Sequence, residues 1–292
     1  MNTVNALINL GDLTKPATVL IERVSDAVGG IAKPGQIVRV AKAEAKAEVV
    51  RAEARMQITE MEERGLQRMV REEGKHQENI ENITAKAIPH LSDDAKPEEV
   101  EDDWLTHFFD RSRLVSDEEM QSLWSNILAG QANRPGTFSK KTLDLVATFD
   151  KSDTELFTKL CSFVWKIGTI TPLVFDLKDE IVNRAEINFD SLTHLVDIGL
   201  ITFAGISGFA REGLPKLFTI FYYGRPVNIE FENDKIELDI GKVLLTRSGR
   251  ELVAICGSRP NEDHYEHILS EWAKKGYALS CPVNSKPRHP AI

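Results

Sequence analysis

The chain has 292 residues and carries 45 acidic against 36 basic side chains, a net charge of −9. That length suggests roughly two domains of ordinary size, and 42% hydrophobic with 28% charged residues is the balance of a water-soluble protein. No run approaches the roughly 18 uninterrupted apolar residues of a spanning helix, and no segment is net basic, so a phosphate backbone is not the default partner.

The N-terminus lacks a basic region followed by an apolar core, so no secretory signal is read. Cys161, Cys256 and Cys281 are odd in number and far apart in the chain, which fits a reducing cytoplasm better than a disulfide framework. Without a C-x-x-C pair, no structural zinc site is expected. Acidic charge gathers in residues 86–150, where 13 carboxylates face 7 cations.

Residues 1–35 hold a short amphipathic helical segment. Leu20, Val24, Ala27, Val28 and Ile31 recur at helical spacing, with Glu22 and Asp26 on the polar side. Membrane-surface helices carry a Lys/Arg-rich polar face, whereas this one has only Arg23 and the nearby Lys33. Packing against protein is therefore the preferred expectation, and peripheral membrane contact through residues 17–31 is the alternative. Gly29, Gly30, Pro34 and Gly35 end the segment.

Residues 36–91 read as one long coiled-coil-like helix. No proline occurs from Gln36 to Lys86, and Ala, Glu, Arg, Lys and Gln dominate. At 1.5 Å per residue the helix would be roughly 75 Å long. One narrow stripe is Val40, Ala43, Ala47, Val50, Ala54, Ile58 and Met61, and a second runs through Val38, Ala41, Ala45, Val49, Ala52 and Met56. The spacing lies near that of a coiled-coil seam. Side chains this small bury little area, so the segment suits a self-association stalk or partner-binding rod, with the first stripe as the partner face. Gly65 and Gly74 are expected to weaken or bend it.

Residues 92–168 predict a compact helical bundle. Ser116 with Glu119, Ser139, and Ser152 with Glu155 read as N-caps, and Pro135–Gly136 as a turn. Trp104, Phe108, Phe109, Trp124 and Phe138 supply its core, in about four helices. Residues 169–278 change character: "FDSLTHLVDIGLITF" predicts a helix entering a strand. "KLFTIFYYG", "VNIEFEN" and "KIELDI" predict strands, the last two joined by an Asn233–Asp234 hairpin turn. "KVLLTRSGRELVAI" predicts strand, Thr246 cap and helix, and "EDHYEHILSEWAKKG" a last amphipathic helix. Gly205, Gly208 and Gly213 suggest a mobile loop, and residues 279–292 a loose tail.

The helix–strand–hairpin order, closing on "LLTRSGREL", resembles a winged helix-turn-helix. The longer stretch from "QENIENITAKA" through "DDWLTHFFDRSRLVSDEEMQSLWSNILAGQANRPGTFSKKTLDLV" resembles a bacterial family catalogued as a domain of unknown function, DUF2806, over about residues 30–275. That resemblance implies no activity and transfers no catalytic residues. The layout of an alanine-rich helix ahead of a helical and β module is also similar to abortive-infection alpha proteins, which implies phage defence.

Each chemical constellation has a plainer reading. His264 and His267, with Asp263 and Glu266, sit at ligand spacing, but a buried stripe of Tyr265, Ile268, Leu269 and Trp272 would leave both histidines on the solvated side. Asp103, His107 and Asp110 form a carboxylate–histidine set and read as a polar face opposite Trp104 and Phe108. Glu230, Glu232, Asp234, Lys235 and Glu237 faintly resemble a nuclease set, yet alternate with Ile229, Phe231, Ile236 and Leu238 as a half-buried strand does. No phosphate-loop, dinucleotide or nucleophile-elbow motif occurs. The helix "FDSLTHLVDIG" offers Asp190, Ser191, Thr193, His194 and Asp197 with no Lys or Arg, unlike a groove-reading helix. Arg211, Lys216 and Arg225 are the candidate nucleic-acid contacts of a small basic wing.

The sequence thus predicts a mainly α protein with a smaller α+β part: an N-terminal alanine-rich helix, a helical bundle and a C-terminal winged-helix-like domain. The expected function is that of a non-enzymatic, cytoplasmic bacterial interaction protein without cofactors or metals. It would form a homo-oligomer or bind a protein partner through its long helix. The alternatives are a winged-helix DNA-binding regulator and a metal-dependent nuclease.

Overall fold

The computed structural model describes residues 13–29, 60–234 and 236–282, a mixed helical and β chain. These residues fall into two compact units that divide between Ala147 and Thr148. The stripe from Val40 to Ile58, the second stripe through Met56, and Lys235 lie outside the described residues.

In the first unit, α1 (Lys15–Val28) ends on Gly29, whose φ of 79° gives a left-handed cap. Its buried face is Ala17, Leu20 and Val24, packed on a 3-10 turn at Pro97–Glu99 and on α3 (Asp102–Ser112). Arg23 anchors it by donating to the Val100 carbonyl and pairing with Asp102 at 2.9 Å. Of the predicted apolar stripe, Leu20 and Val24 are thus buried in the chain's own packing, while Ala27 and Val28 are half-buried and Ile31 lies outside the described residues.

Helix α2 (Glu60–Ala87) runs unbroken through Gly65 and Gly74, the two positions expected to weaken or bend it. Neither glycine has a neighbour within 4 Å of a notional Cβ, so nothing there forces a kink. The C-terminal end of α2 packs on α4 (Glu118–Asn133), and α5 (Lys140–Val146) closes the bundle against α3. Trp104, Phe108, Phe109, Trp124 and Phe138 are all buried. Phe108 stacks near Trp104 and meets Trp124 edge-on, both at 5.2 Å between ring centres. Trp104 Nε1 donates to the Phe138 carbonyl at 2.7 Å.

Two caps differ from expectation. Helix α4 is capped by Asp117, whose carboxylate accepts from Glu119 and Met120 N–H, rather than by Ser116. Helix α6 (Lys151–Cys161), in the second unit, starts on an Asp150–Asp153 capping box rather than on Ser152 and Glu155. Ser139 caps α5 as expected, and Gly136 takes the turn with φ 85°.

The second unit continues through β1 (Val164–Ile167), β2 (Thr169–Pro172), α7 (Glu180–Arg184), α8 (Phe189–Asp197) and β3 (Ile201–Phe203). Then come β4 (Phe209–Leu214), β5 (Leu217–Tyr222), β6 (Arg225–Glu230), β7 (Ile236–Gly241) and β8 (Val243–Leu245). Helix α9 (Arg247–Val253), α10 (Glu262–Lys274) and β9 (Ala278–Ser280) complete it. One antiparallel sheet has the order β2-β1-β5-β6-β9, while β3 pairs with β8 and β4 with β7. Tyr223 and Gly224, with φ 46° and 75°, make the two-residue turn of the β5–β6 hairpin.

The expected β6–β7 hairpin at Asn233–Asp234 does not form, since the two strands lie in different sheets. The expected mobile loop is in part strand β4, with bulges at Phe209/Ala210 and Arg211/Leu214. The core joins Trp165, Tyr222 and Trp272 with Ile220, Val227 and Leu238.

Candidate interaction surfaces

Helix α2 buries Asn79, Ile80, Ile83, Thr84 and Ala87 and is otherwise largely exposed. At 100° per residue, Leu66, Met69 and Val70 continue roughly the same face as Ile80, Ile83 and Ala87, about three to four turns before Ile80. Met69 is 52% and Val70 38% exposed, and Met61, the one described member of the long predicted stripe, is 75% exposed. The helix is fixed at its lower end by polar as well as apolar contacts. Asn79 Nδ2 donates to the Arg113 carbonyl at 2.7 Å, and Gln121 Nε2 donates to Asn79 Oδ1 at 3.2 Å. Its upper face carries apolar side chains that no other described element covers.

In the second unit, α8 is capped reciprocally by Asn188 and Ser191 and buries Leu192 and Leu195. Its outer side presents Phe189, 61% exposed, and Val196, beside the exposed Asp190 and Asp197. Phe189 meets Phe203 edge-on at 5.6 Å, and Ile206 stands fully exposed in the turn that follows β3. His194 bonds to Asp153 at 2.6 Å. This face is apolar and acidic.

The three candidate wing cations do not form one patch. Arg225 makes a bidentate pair with Glu262, at 2.7 and 2.6 Å. Lys216 lies 3.8 Å from Glu230, at the opposite end of β6 and so roughly 16 Å along the strand. Arg211 is on β4 and lines a cavity with Arg250, a residue the sequence reading did not single out. Each cation answers to a different neighbour, and Glu262 and Arg250 were invisible locally because they lie about 40 residues away in sequence.

The proposed chemical sets resolve into structural contacts. His264 is 1% exposed, which corrects its placement on the solvated side: the buried stripe is His264, Ile268 and Trp272. Trp165 Nε1 donates to His264 Nε2 at 3.3 Å, so that nitrogen is the acceptor and the ring is neutral. Burial first, and then His267, lower its pKa to about 3. His267 itself bonds to Asp179 at 3.2 Å. His107 meets Asp144 at 2.9 Å, and Arg111 meets the same carboxylate at 2.8 Å, tying α3 to α5. Asp234 accepts from the Lys216 backbone N–H at 2.8 Å, a loop contact. Among the described residues no group of three or more His, Cys, Asp or Glu is placed to hold a metal ion, and no helix is long and apolar enough to cross a membrane.

With these surfaces established, the chain can be set beside known proteins. A family model described as a protein of unknown function, DUF2806, matches residues 63–269, more than half of the chain, and the chain belongs to that family. No curated protein and no solved structure matches it.

Proposed function

We propose that this member of a family without an assigned activity is a non-enzymatic interaction protein that self-associates through its long helix, α2 and the coiled-coil-like segment before it. The observation that carries this reading is the continuity of one helix face. The stripe that docks α2 into its own bundle extends past it as the half-buried Leu66 and the exposed Met69 and Val70. A second helix laid along that face buries what the chain leaves exposed, and clustering then raises the effective concentration of the globular units for a shared partner.

Cross-linking tests it. In a Cys256→Ala/Cys281→Ser background, Met69→Cys lies on the proposed partner face and Arg71→Cys on the opposite side of the same helix. The reading expects rapid bis-maleimide cross-linking of the full chain at position 69 and little at 71. Equal cross-linking at both positions, or none at 69, refutes it.

A winged-helix reading of the second unit is supported by its order, with β2, β8 and β3 beside α8 and α9, and with β4 to β7 inserted where a wing would stand. In that arrangement α8 occupies the reading position, and its Phe189, Val196, Asp190 and Asp197 favour a protein surface over duplex DNA. An assignment to phage defence has its support in the abortive-infection resemblance alone.

A further inference from the structure

Strands β2, β4, β7 and β8 and helix α9 enclose a half-open cavity of about 260 Å³. Arg211 and Arg250 both line it, together with Thr169 and Thr171 and an apolar wall of Ile170 and Leu244. Neither guanidinium makes an ion pair among the described residues: Arg211 Nη1 donates to Thr169 Oγ1 at 3.3 Å, and Arg250 Nη1 to the Leu245 carbonyl at 2.8 Å. Elsewhere in this unit Arg225 pairs with Glu262, Arg184 with Glu180 and Arg247 with Glu251.

The Arg211 head also lies against Gly168. Its Nη2 would be 2.6 Å from a Cβ at Gly168, a position whose φ of 72° favours glycine. Any side chain at 168 would displace the guanidinium. Arg211 is half-buried and Arg250 exposed, and a divalent oxoanion in the cavity would meet both cations. The planar fork of arginine matches phosphate oxygens in pairs. The threonine hydroxyls add neutral donors, and the apolar wall accepts a small organic body.

We propose that this cavity binds the phosphoryl group of a small molecule, with Arg211 and Arg250 as its cationic clamp. The cavity is smaller than the roughly 300–1,000 Å³ of sites for drug-sized ligands, which limits the occupant to phosphate itself or the phosphoryl end of a compact ester.

Calorimetric titration of the full chain with orthophosphate and with a nucleoside monophosphate, at constant ionic strength and against acetate, tests the proposal. Saturable one-to-one binding, weakened at least about tenfold by Arg211→Gln and by Arg250→Gln and only partly restored by Arg211→Lys, is the expected result. Equal affinity for the two ligands identifies the free ion as the occupant, and a tighter ester identifies the organic body; both support phosphoryl recognition. In the wild-type chain, bound phosphate is also expected to protect Arg211 and Arg250 from phenylglyoxal, a readout independent of how the variants fold. No saturable binding of either ligand up to about 10 mM, binding unchanged in both glutamine variants, or unprotected arginines overturns it.

Discussion

Gly249 lies against the carbonyl oxygen of Leu200, so closely that a Cβ at position 249 would sit 2.2 Å from it. Thr246, three residues earlier, accepts from the Gly249 N–H at 3.1 Å and donates to the Gly199 carbonyl at 2.8 Å. The threonine and glycine of "TRSG" therefore fasten α9 to the strand entry after α8, and the spacing follows from the cap. Gly249→Ala is expected to destabilise the second unit by about 1–3 kcal/mol, because the obstacle is backbone and cannot swing away. Urea denaturation checks this, and an unchanged midpoint contradicts it.

His264 makes the second unit sensitive to acid. Its folded pKa of about 3 lies below the 6.5 of an exposed imidazole, so the unfolded chain binds one proton more between those values. Stability from this group is complete above pH 6.5 and is lost as pH falls toward 3, by up to about 3 kcal/mol at pH 4. His264→Gln keeps an acceptor for Trp165 but does not titrate. Its stability relative to wild type is expected to rise as pH drops from 6.5 to 4, and parallel curves contradict the account.

The two buried-side thiols differ in acidity. The neighbouring Cys161 and then Ser258 lower the Cys256 thiol to about 7 although burial opposes them. Burial instead pushes Cys161 well above the ordinary thiol range. In a Cys281→Ser background, iodoacetamide labelling of Cys256 is expected to reach half its maximal rate near pH 7. Cys161→Ala should move that midpoint upward. A midpoint near the ordinary thiol value of about 8.5 in both proteins contradicts it.

Trp104→Phe removes the donor to the buried Phe138 carbonyl while keeping most of the ring packing. A loss of about 1–2 kcal/mol is expected, read as a lower urea midpoint for the first unit.

Much of the local structure was legible because it is written in neighbouring residues. Thr246 and Ser139 cap the helices expected of them, the Pro135–Gly136 turn forms, and Trp104, Phe108 and Trp124 are core. Errors arose where two local signals compete or where partners are remote. Ser116 and Asp117 are both good caps, as are Asp150 and Ser152, and only the final helix geometry chooses. A stripe counted from Tyr265 leaves His264 outside the core, whereas the buried face centres on His264, Ile268 and Trp272. Strand β7 pairs with β4, across the inserted hairpin, a choice that no local alternation encodes. The Arg211 cavity needed Arg250, which only the fold brings near.

Light scattering of the full chain over a tenfold range of concentration tests the central claim most directly, with the Leu66→Gln/Met69→Gln/Val70→Gln variant alongside. None of those three positions is among the buried residues of α2, and an unchanged urea midpoint checks that the variant keeps the globular fold. The account predicts a dimer or larger assembly for wild type and a monomer for the variant. A wild-type monomer throughout, or an assembly that the three substitutions leave intact, contradicts it.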